Sequence, residues 1–311
     1  MPSLLVFTWA VMAVYAAVAA AFLRALRRPE PPPAAHAPSV TVVVAARNEE
    51  ARLPGLLRDL AAQTYSCFEV VVVDDRSTDG TSALVRAAAE ALPGRFRLLR
   101  QDAVPPGVAP KKLALQRGVE AGRGELVLLT DADCRVSPGW VEGMARAFRP
   151  GVAMVLGYSE LETGRGSTFF ERVQAFEFLT LVTAMAASAR LGFPLGATGH
   201  SLAYRRDVFE RVGGYGPGLR LPAGDDMLML DLVRAHSGAG RIAYAAEAAA
   251  RVRTHPEPTL RAFRSQRARW ASSGMRSFRR DWRVLVYGAA ALNANLHLPL
   301  GALWVGLGWM G

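Results

Sequence analysis

The sequence predicts an α/β fold, a mostly parallel sheet flanked by helices on both faces, and three observations carry that expectation. From residue 40 onward, short apolar runs alternate with helix-like stretches. The joins between them are short, as parallel strands linked by crossover helices require. Three successive apolar runs also end in polar residues: Asn48 and Glu49, then Asp74 and Asp75, then Asp131 and Asp133. In an open α/β sheet, ligands bind outside the carboxyl ends of the strands, so three polar clusters on one edge predict a ligand site.

The elements follow in order. Residues 4–23 carry no charge and match the length of about 20 residues that a helix needs to cross a bilayer core. Arg24, Arg27 and Arg28 come straight after. A secretory signal would place its positive charge before the apolar run, so residues 1–28 read as a transmembrane anchor with everything downstream on the cytoplasmic face of the inner membrane. Pro29, Pro31, Pro32 and Pro33 make residues 29–38 a stiff linker. Residues 40–46 read as a β-branched strand, 51–62 as a helix, 69–73 as a strand and 81–92 as a helix that Thr78 or Asp79 can cap. A third strand is expected at 95–99, a helix at 111–121 and a buried strand at 125–130. Residues 167–191 read as a long helix whose charges sit in its first half, interfacial or core in character. After Pro256 and Pro258 a helix is expected at 259–275. Residues 284–311 are apolar enough for a second transmembrane or re-entrant segment. The predicted layout is thus an anchor, a linker, a domain at 39–283 with halves 39–157 and 158–283, and a membrane-associated C-terminal segment.

Composition narrows the functional classes. Thirty-seven Lys and Arg against 27 Asp and Glu give a net charge of +10, and Lys111 and Lys112 are the only lysines. Such an excess suits nucleic acid, an anionic membrane or a phosphorylated ligand. No nucleic-acid-binding module with stacking aromatics accompanies the charge, and a purely structural membrane protein would leave the strand-end acids unexplained. Two cysteines, Cys67 and Cys134, are too few for a disulfide framework or a structural zinc site. A dinucleotide-binding fold predicts a glycine-rich turn after the first strand, where this chain has Ala45-Ala-Arg-Asn-Glu49; no P-loop occurs at any strand-to-helix junction. Asp131 and Asp133 are two apart, and side chains two apart in a strand point the same way, so the pair can converge on one hard cation that bridges to a ligand's phosphates.

The ordered set Ala45-Ala-Arg-Asn-Glu49, Val73-Asp-Asp-Arg-Ser-Thr-Asp79, Lys111-Lys-Leu-Ala-Leu115, Thr130-Asp-Ala-Asp133, Gly224-Asp-Asp226 and Gln266-Arg-Ala-Arg-Trp270 resembles glycosyltransferase family 2. The last motif marks its membrane-associated branch, which includes cellulose, chitin and hyaluronan synthases. The first motif departs slightly, since many members carry proline where Ala45 stands. The resemblance implies a GT-A fold and an inverting, metal-dependent hexosyltransferase. It places Asp75 on a uracil ring, Asn48 and Glu49 along the nucleoside, Lys111 near the donor's phosphates and Asp131 and Asp133 at Mn²⁺ or Mg²⁺, with Asp133 the direct ligand. Asp226 becomes the general base, Asp225 caps or orients, and His200, Gln266, Arg269 and Trp270 serve the acceptor or diphosphate. Gln266, Arg269 and Trp270 are expected to share one helix face, with Arg261, Arg264, Arg267, Arg276, Arg279 and Arg280 solvated or facing lipid. Asp74 is left with a capping or structural alternative, Lys112 points about 100° away from Lys111, with a solvated lysine pair as the alternative, and Cys134 is left with packing. The expected partners are a UDP-sugar, a lipid or lipid-linked acceptor and the membrane, but no nucleic acid; processive polymer synthesis is the alternative activity.

Overall fold

The structure, a computed structural model, describes residues 2–29, 32, 37–236, 238 and 240–278. They fall into two units, one holding the described residues of 2–29 and 274–278 and the other those from 32 to 273. In the first, α1 spans Pro2–Leu26 as one helix of 25 residues. Among the described residues no helix is long and apolar enough to cross a membrane, and several α1 side chains lie outside them. Residues 4–23 are therefore helical as expected, while their role as a span finds no support here. The expected segment at 284–311 lies outside the described residues.

In the second unit the first half follows the predicted alternation: β1 (Val40–Ala46), α2 (Leu53–Ala61), β2 (Phe68–Asp74), α3 (Thr81–Ala91), β3 (Phe96–Arg100), α4 (Pro110–Ala121) and β4 (Leu126–Leu129). Then come β5 (Arg135–Val136), α5 (Trp140–Arg146), β6 (Val152–Gly157), β7 (Ser159–Leu161), α6 (Phe169–Arg190), β8 (Leu202–Arg205), α7 (Arg206–Arg211), α8 (Asp225–Ala235), β9 (Arg241–Ala245), β10 (Val252–Thr254) and α9 (Leu260–Phe278). The main sheet has the order β3-β2-β1-β4-β8-β6-β9, and β5-β10-β7 form a small second sheet. In the main sheet only β8 runs against its neighbours; the remaining pairs are parallel, so the sheet is mixed and mostly parallel.

Parallel strands covered on both faces are apolar throughout, and here Val40, Val42, Val43 and Val44 of β1 and all of β4 are buried. On one face Val42, Val44, Val70, Val72, Leu126 and Leu128 pack with Leu56, Leu60 and Trp140; on the other, Val71 and Val73 meet Ala114 of α4. The register aligns Ala46 with Asp74, so β1 and β2 end level with each other. Helix α4 lies close against β1, because a Cβ on Gly118 would come within 2.3 Å of the Val43 side chain. That close seat fixes where the N-terminal residues of α4 project. Helix α6 starts in a capping box of Thr168 and Glu171; Phe178, Val182 and Ala187 are buried, and Phe169, Val173 and Phe176 are exposed.

Candidate functional site

The site lies where β1, β2 and β4 end. After β1 the chain turns at Asn48, which has φ 55. Asn rather than a bulkier residue fits that left-handed backbone. Asn48 donates its N–H to Ser77 Oγ at 3.0 Å and accepts from Thr78 N–H at 2.9 Å, and Glu49 N–H donates to Thr81 Oγ1 at 2.8 Å. Both residues therefore clasp the loop after β1 to the loop after β2. The Glu49 carboxyl is held above its usual range, first by burial and then by the charges of Asp133 and Asp131, which places it electrostatically beside that pair.

At the end of β2, Asp74 is buried and accepts from Ser77 N–H at 2.9 Å and from the Ser82 hydroxyl, which makes it a loop-holding residue. Asp75 accepts from Arg76 Nε at 2.8 Å and from Gln101 Nε2 at 3.0 Å. Burial alone would raise its pKa; the Arg76 and Gln101 hydrogen bonds outweigh that and hold it below the usual carboxylate range. Gln101 is completely buried, follows β3 directly, and also donates to Pro110 O at 3.1 Å. Sequence reasoning missed it, although a polar residue at the carboxyl end of the third strand is the signal that found the other clusters.

The two acids after β4 differ from expectation. Asp131 and Asp133 lie in a turn beyond the strand, closed by Cys134 N–H donating to Asp131 O at 3.1 Å, so strand alternation does not set their directions. They have different partners. Asp131 accepts from Lys111 Nζ at 2.7 Å and lies 3.8 Å from His200 Nε2, whereas Asp133 lies 3.5 Å from Arg52 Nη1. Burial would raise the Asp131 pKa, but the Lys111 ammonium beside it lowers it. Lys111 is also 3.6 Å from Asp225 Oδ2. Desolvation pulls the Lys111 ammonium down, and Asp131 and Asp225 more than reverse it. Gly199, just before His200, sits among these groups: a Cβ there would lie 3.5 Å from Asp225, 3.7 Å from Lys111 and 3.8 Å from Asp131. Cys134 is buried, and that burial pushes its thiol up, in line with packing.

Helix α8 begins after Gly224, whose φ of 76 favours glycine, and puts Asp225 and Asp226 in its first turn. Asp226 accepts from Met227 N–H at 2.7 Å. Burial and the neighbouring Asp225 charge push its carboxyl up to about 7. Lys112 points away from Lys111, as helix geometry predicts, and donates from a buried position to Leu221 O at 2.7 Å and Ala223 O at 3.0 Å.

Motif Gln266-Arg-Ala-Arg-Trp270 is arranged differently from expectation. Gln266, Arg267 and Trp270 are half-buried, while Arg269 is exposed and bonds back to Ser265 at 3.2 Å. Arg267, expected in solvent, pairs with Glu177 of α6 and lies 4.1 Å above the Trp270 ring. Gln266 donates to Glu257 at 2.8 Å. Trp270 reaches the site at one remove: the Phe178 ring lies 5.9 Å from Trp270 and 5.8 Å from His200.

Among the described residues no three His, Cys, Asp or Glu side chains converge as a metal site. The acids present still fit a hard divalent cation of the Mg²⁺ or Mn²⁺ type that takes its remaining oxygens from a diphosphate and water, because both Asp131 and Asp133 are partly exposed and offer only oxygen.

The comparisons agree with this architecture. The fold is similar to a mannosyltransferase from Pyrobaculum calidifontis, determined in complex with GDP-Man and Mn²⁺, with a TM-score of 0.64 at 23% identity over 97% of this chain and 91% of that one. Among curated relatives, glycosyltransferase AglE of Haloferax volcanii is 30% identical over 60% of this chain and 59% of its own length. An undecaprenyl-phosphate 4-deoxy-4-formamido-L-arabinose transferase of Aeromonas hydrophila is 32% identical over 37% of this chain and 35% of its own length. The chain thus spans less than two thirds of either relative. The family model described as glycosyltransferase like family 2 matches residues 37–273, the whole stretch that carries the sheet and every acid described above, and the chain belongs to that family.

Proposed function

We propose that the chain is an inverting glycosyltransferase that moves a sugar from a UDP-sugar to a lipid or lipid-linked acceptor, with Mn²⁺ or Mg²⁺ at Asp131 and Asp133. The observation that carries this reading is the double contact of Lys111, at 2.7 Å from Asp131 and 3.6 Å from Asp225. One cationic side chain joins the acids after β4 to the acids of α8. A ligand diphosphate meets that cation between them.

Asp75, held ionised, accepts from the imide N–H of the nucleobase. Lys111 binds the diphosphate, releasing part of its hold on Asp131. Asp226, with its carboxyl at about 7, takes the proton from the acceptor hydroxyl as that oxygen attacks the anomeric carbon opposite the leaving diphosphate. A bound divalent cation supplies Lewis-acid neutralisation of the leaving diphosphate. His200 and Trp270 border the acceptor side through Phe178, and Gln266 and Arg269 serve that side from α9. Residues 1–28 anchor the chain with the domain on the cytoplasmic face; the undecaprenyl-phosphate named for one relative supports a lipid acceptor.

The test is release of nucleoside diphosphate by the detergent-purified protein over a panel of UDP-, GDP- and dTDP-sugars with Mn²⁺, Mg²⁺ or EDTA and a lipid extract. Metal-dependent release with a UDP-sugar, lost in Asp133→Asn, is the expected result. Release with only a GDP- or dTDP-sugar overturns the donor assignment, and release untouched by EDTA overturns the metal.

A further inference from the structure

We infer that Lys112 is a positioning residue for the Asp225–Asp226 pair, acting through the loop that precedes α8; this rests on the glycosyl-transfer reading above. Lys112 is 1% exposed. Lysine is rarely buried to this degree, because removing an ammonium from water is costly unless every donor is well met. Its Nζ donates to Leu221 O and Ala223 O at 2.7 and 3.0 Å. Hydrogen bonds from a charged donor are the strong kind, and these two grip alternate peptides of one loop. A third tie comes from the residue before α4, where Ala109 N–H donates to Leu219 O at 2.7 Å.

That loop has no helix or strand to stiffen it between residues 219 and 224, and it ends at the left-handed Gly224. What holds it is the start of α4, which the close seat of Gly118 on Val43 fixes against the sheet. Neighbouring residues on a helix point about 100° apart. Lys111 therefore reaches into the site toward Asp131 and Asp225 while Lys112 reaches the loop behind Asp225 and Asp226. The first turn of α4 sets the spacing between the diphosphate-binding lysine and the base. Burial of Lys112 keeps it from touching substrate, so it acts through the groups it holds, the loop carbonyls among them.

The experiment combines amide hydrogen exchange with kinetics on Lys112→Met, which keeps the stem and removes the donors, and Lys112→Gln, which keeps two N–H donors without charge. In Lys112→Met, amides of residues 219–226 exchange faster while those of β1 to β4 do not change. UDP affinity is retained, kcat falls about a hundredfold, the size expected for a small misplacement of a reacting group, and Lys112→Gln restores most of it. Unchanged loop exchange in Lys112→Met overturns the proposal, as does faster exchange with unchanged kcat. If Lys112→Met does not fold, Lys112→Gln decides: loop exchange and kcat that both stay near wild type, or move together, support the tie, and a change in one alone overturns it. Absence of sugar transfer by the wild type from every nucleotide donor defeats the glycosyl-transfer reading, and loop exchange then still settles whether Lys112 holds the loop.

Discussion

Two Asp-Asp pairs face the same site and are treated in opposite ways. At the end of β2, Asp75 is surrounded by donors from Arg76 and Gln101, which hold its carboxyl below the ordinary range. At the start of α8, Asp226 has the charge of Asp225 beside it and is pushed up to about 7. Burial raises the carboxyl at both and is the largest cause at Asp226, where the Asp225 charge adds to it. At Asp75 the hydrogen-bond donors outweigh burial: where donors are present the acid stays charged, and where a like charge stands instead its carboxyl rises.

The sharpest way to break this comparison is Asp226→Asn. If Asp226 takes the acceptor's proton, kcat falls about a thousandfold while nucleotide binding, measured by titration calorimetry, stays intact; transfer that survives the change moves the base elsewhere. Asp75→Asn acts on the other pair and the other constant. It raises KM for the donor roughly thirtyfold, the equivalent of about 2 kcal/mol for an acceptor that carries charge, with little change in kcat. A reversed pattern, with kcat falling and KM constant, removes Asp75 from the nucleobase.

The contrast also has a pH signature. If Asp226 is the base, it acts only when ionised, and kcat/KM climbs about tenfold per pH unit below the Asp226 value and levels off above about 7. Stability runs the other way. The folded-state pKa exceeds the unfolded value of about 3.9, so protonated Asp226 contributes stability below that value, and the contribution is lost as pH rises through about 7. Asp226→Asn accordingly raises Tm more at pH 8 than at pH 5, and an equal gain at both pH values shows that Asp226 titrates normally.

The first half of the fold was legible because β1, β2 and β4 carry apolar runs between helical stretches, and β3 falls in the same alternation. Farther along, the long helices α6 and α9 stand where 167–191 and 259–275 read as helical, but the short strands were not legible. β8 has four residues and β5 has two, too short for any period, and their pairings join residues far apart in the chain. In the site, residue types at strand ends were readable, whereas directions were not. Asp131 and Asp133 look like alternate strand positions until the turn after Leu129 separates their partners. Arg267 looked like one solvated arginine among several; only the approach of α6 supplies Glu177, and no local pattern on α9 announces it. Gln101 was passed over because its importance lies in what stands next to it.

The antiparallel placement of β8 matters for how the chain comes together. Residues 40–129 contain four parallel strands that are consecutive in sequence, and one edge of that assembly is β4, apolar at every position. Its partner, β8, arrives only at Leu202–Arg205. During synthesis, or in any fragment cut before residue 202, β4 offers an unpaired hydrophobic edge of the kind that joins chains edge to edge. β8 in turn pairs with β6, which is buried throughout and is covered only by β9 at Arg241–Ala245. Fragments ending after residue 245 should therefore stay dispersed where those ending near residue 160 aggregate, a difference that light scattering reads directly.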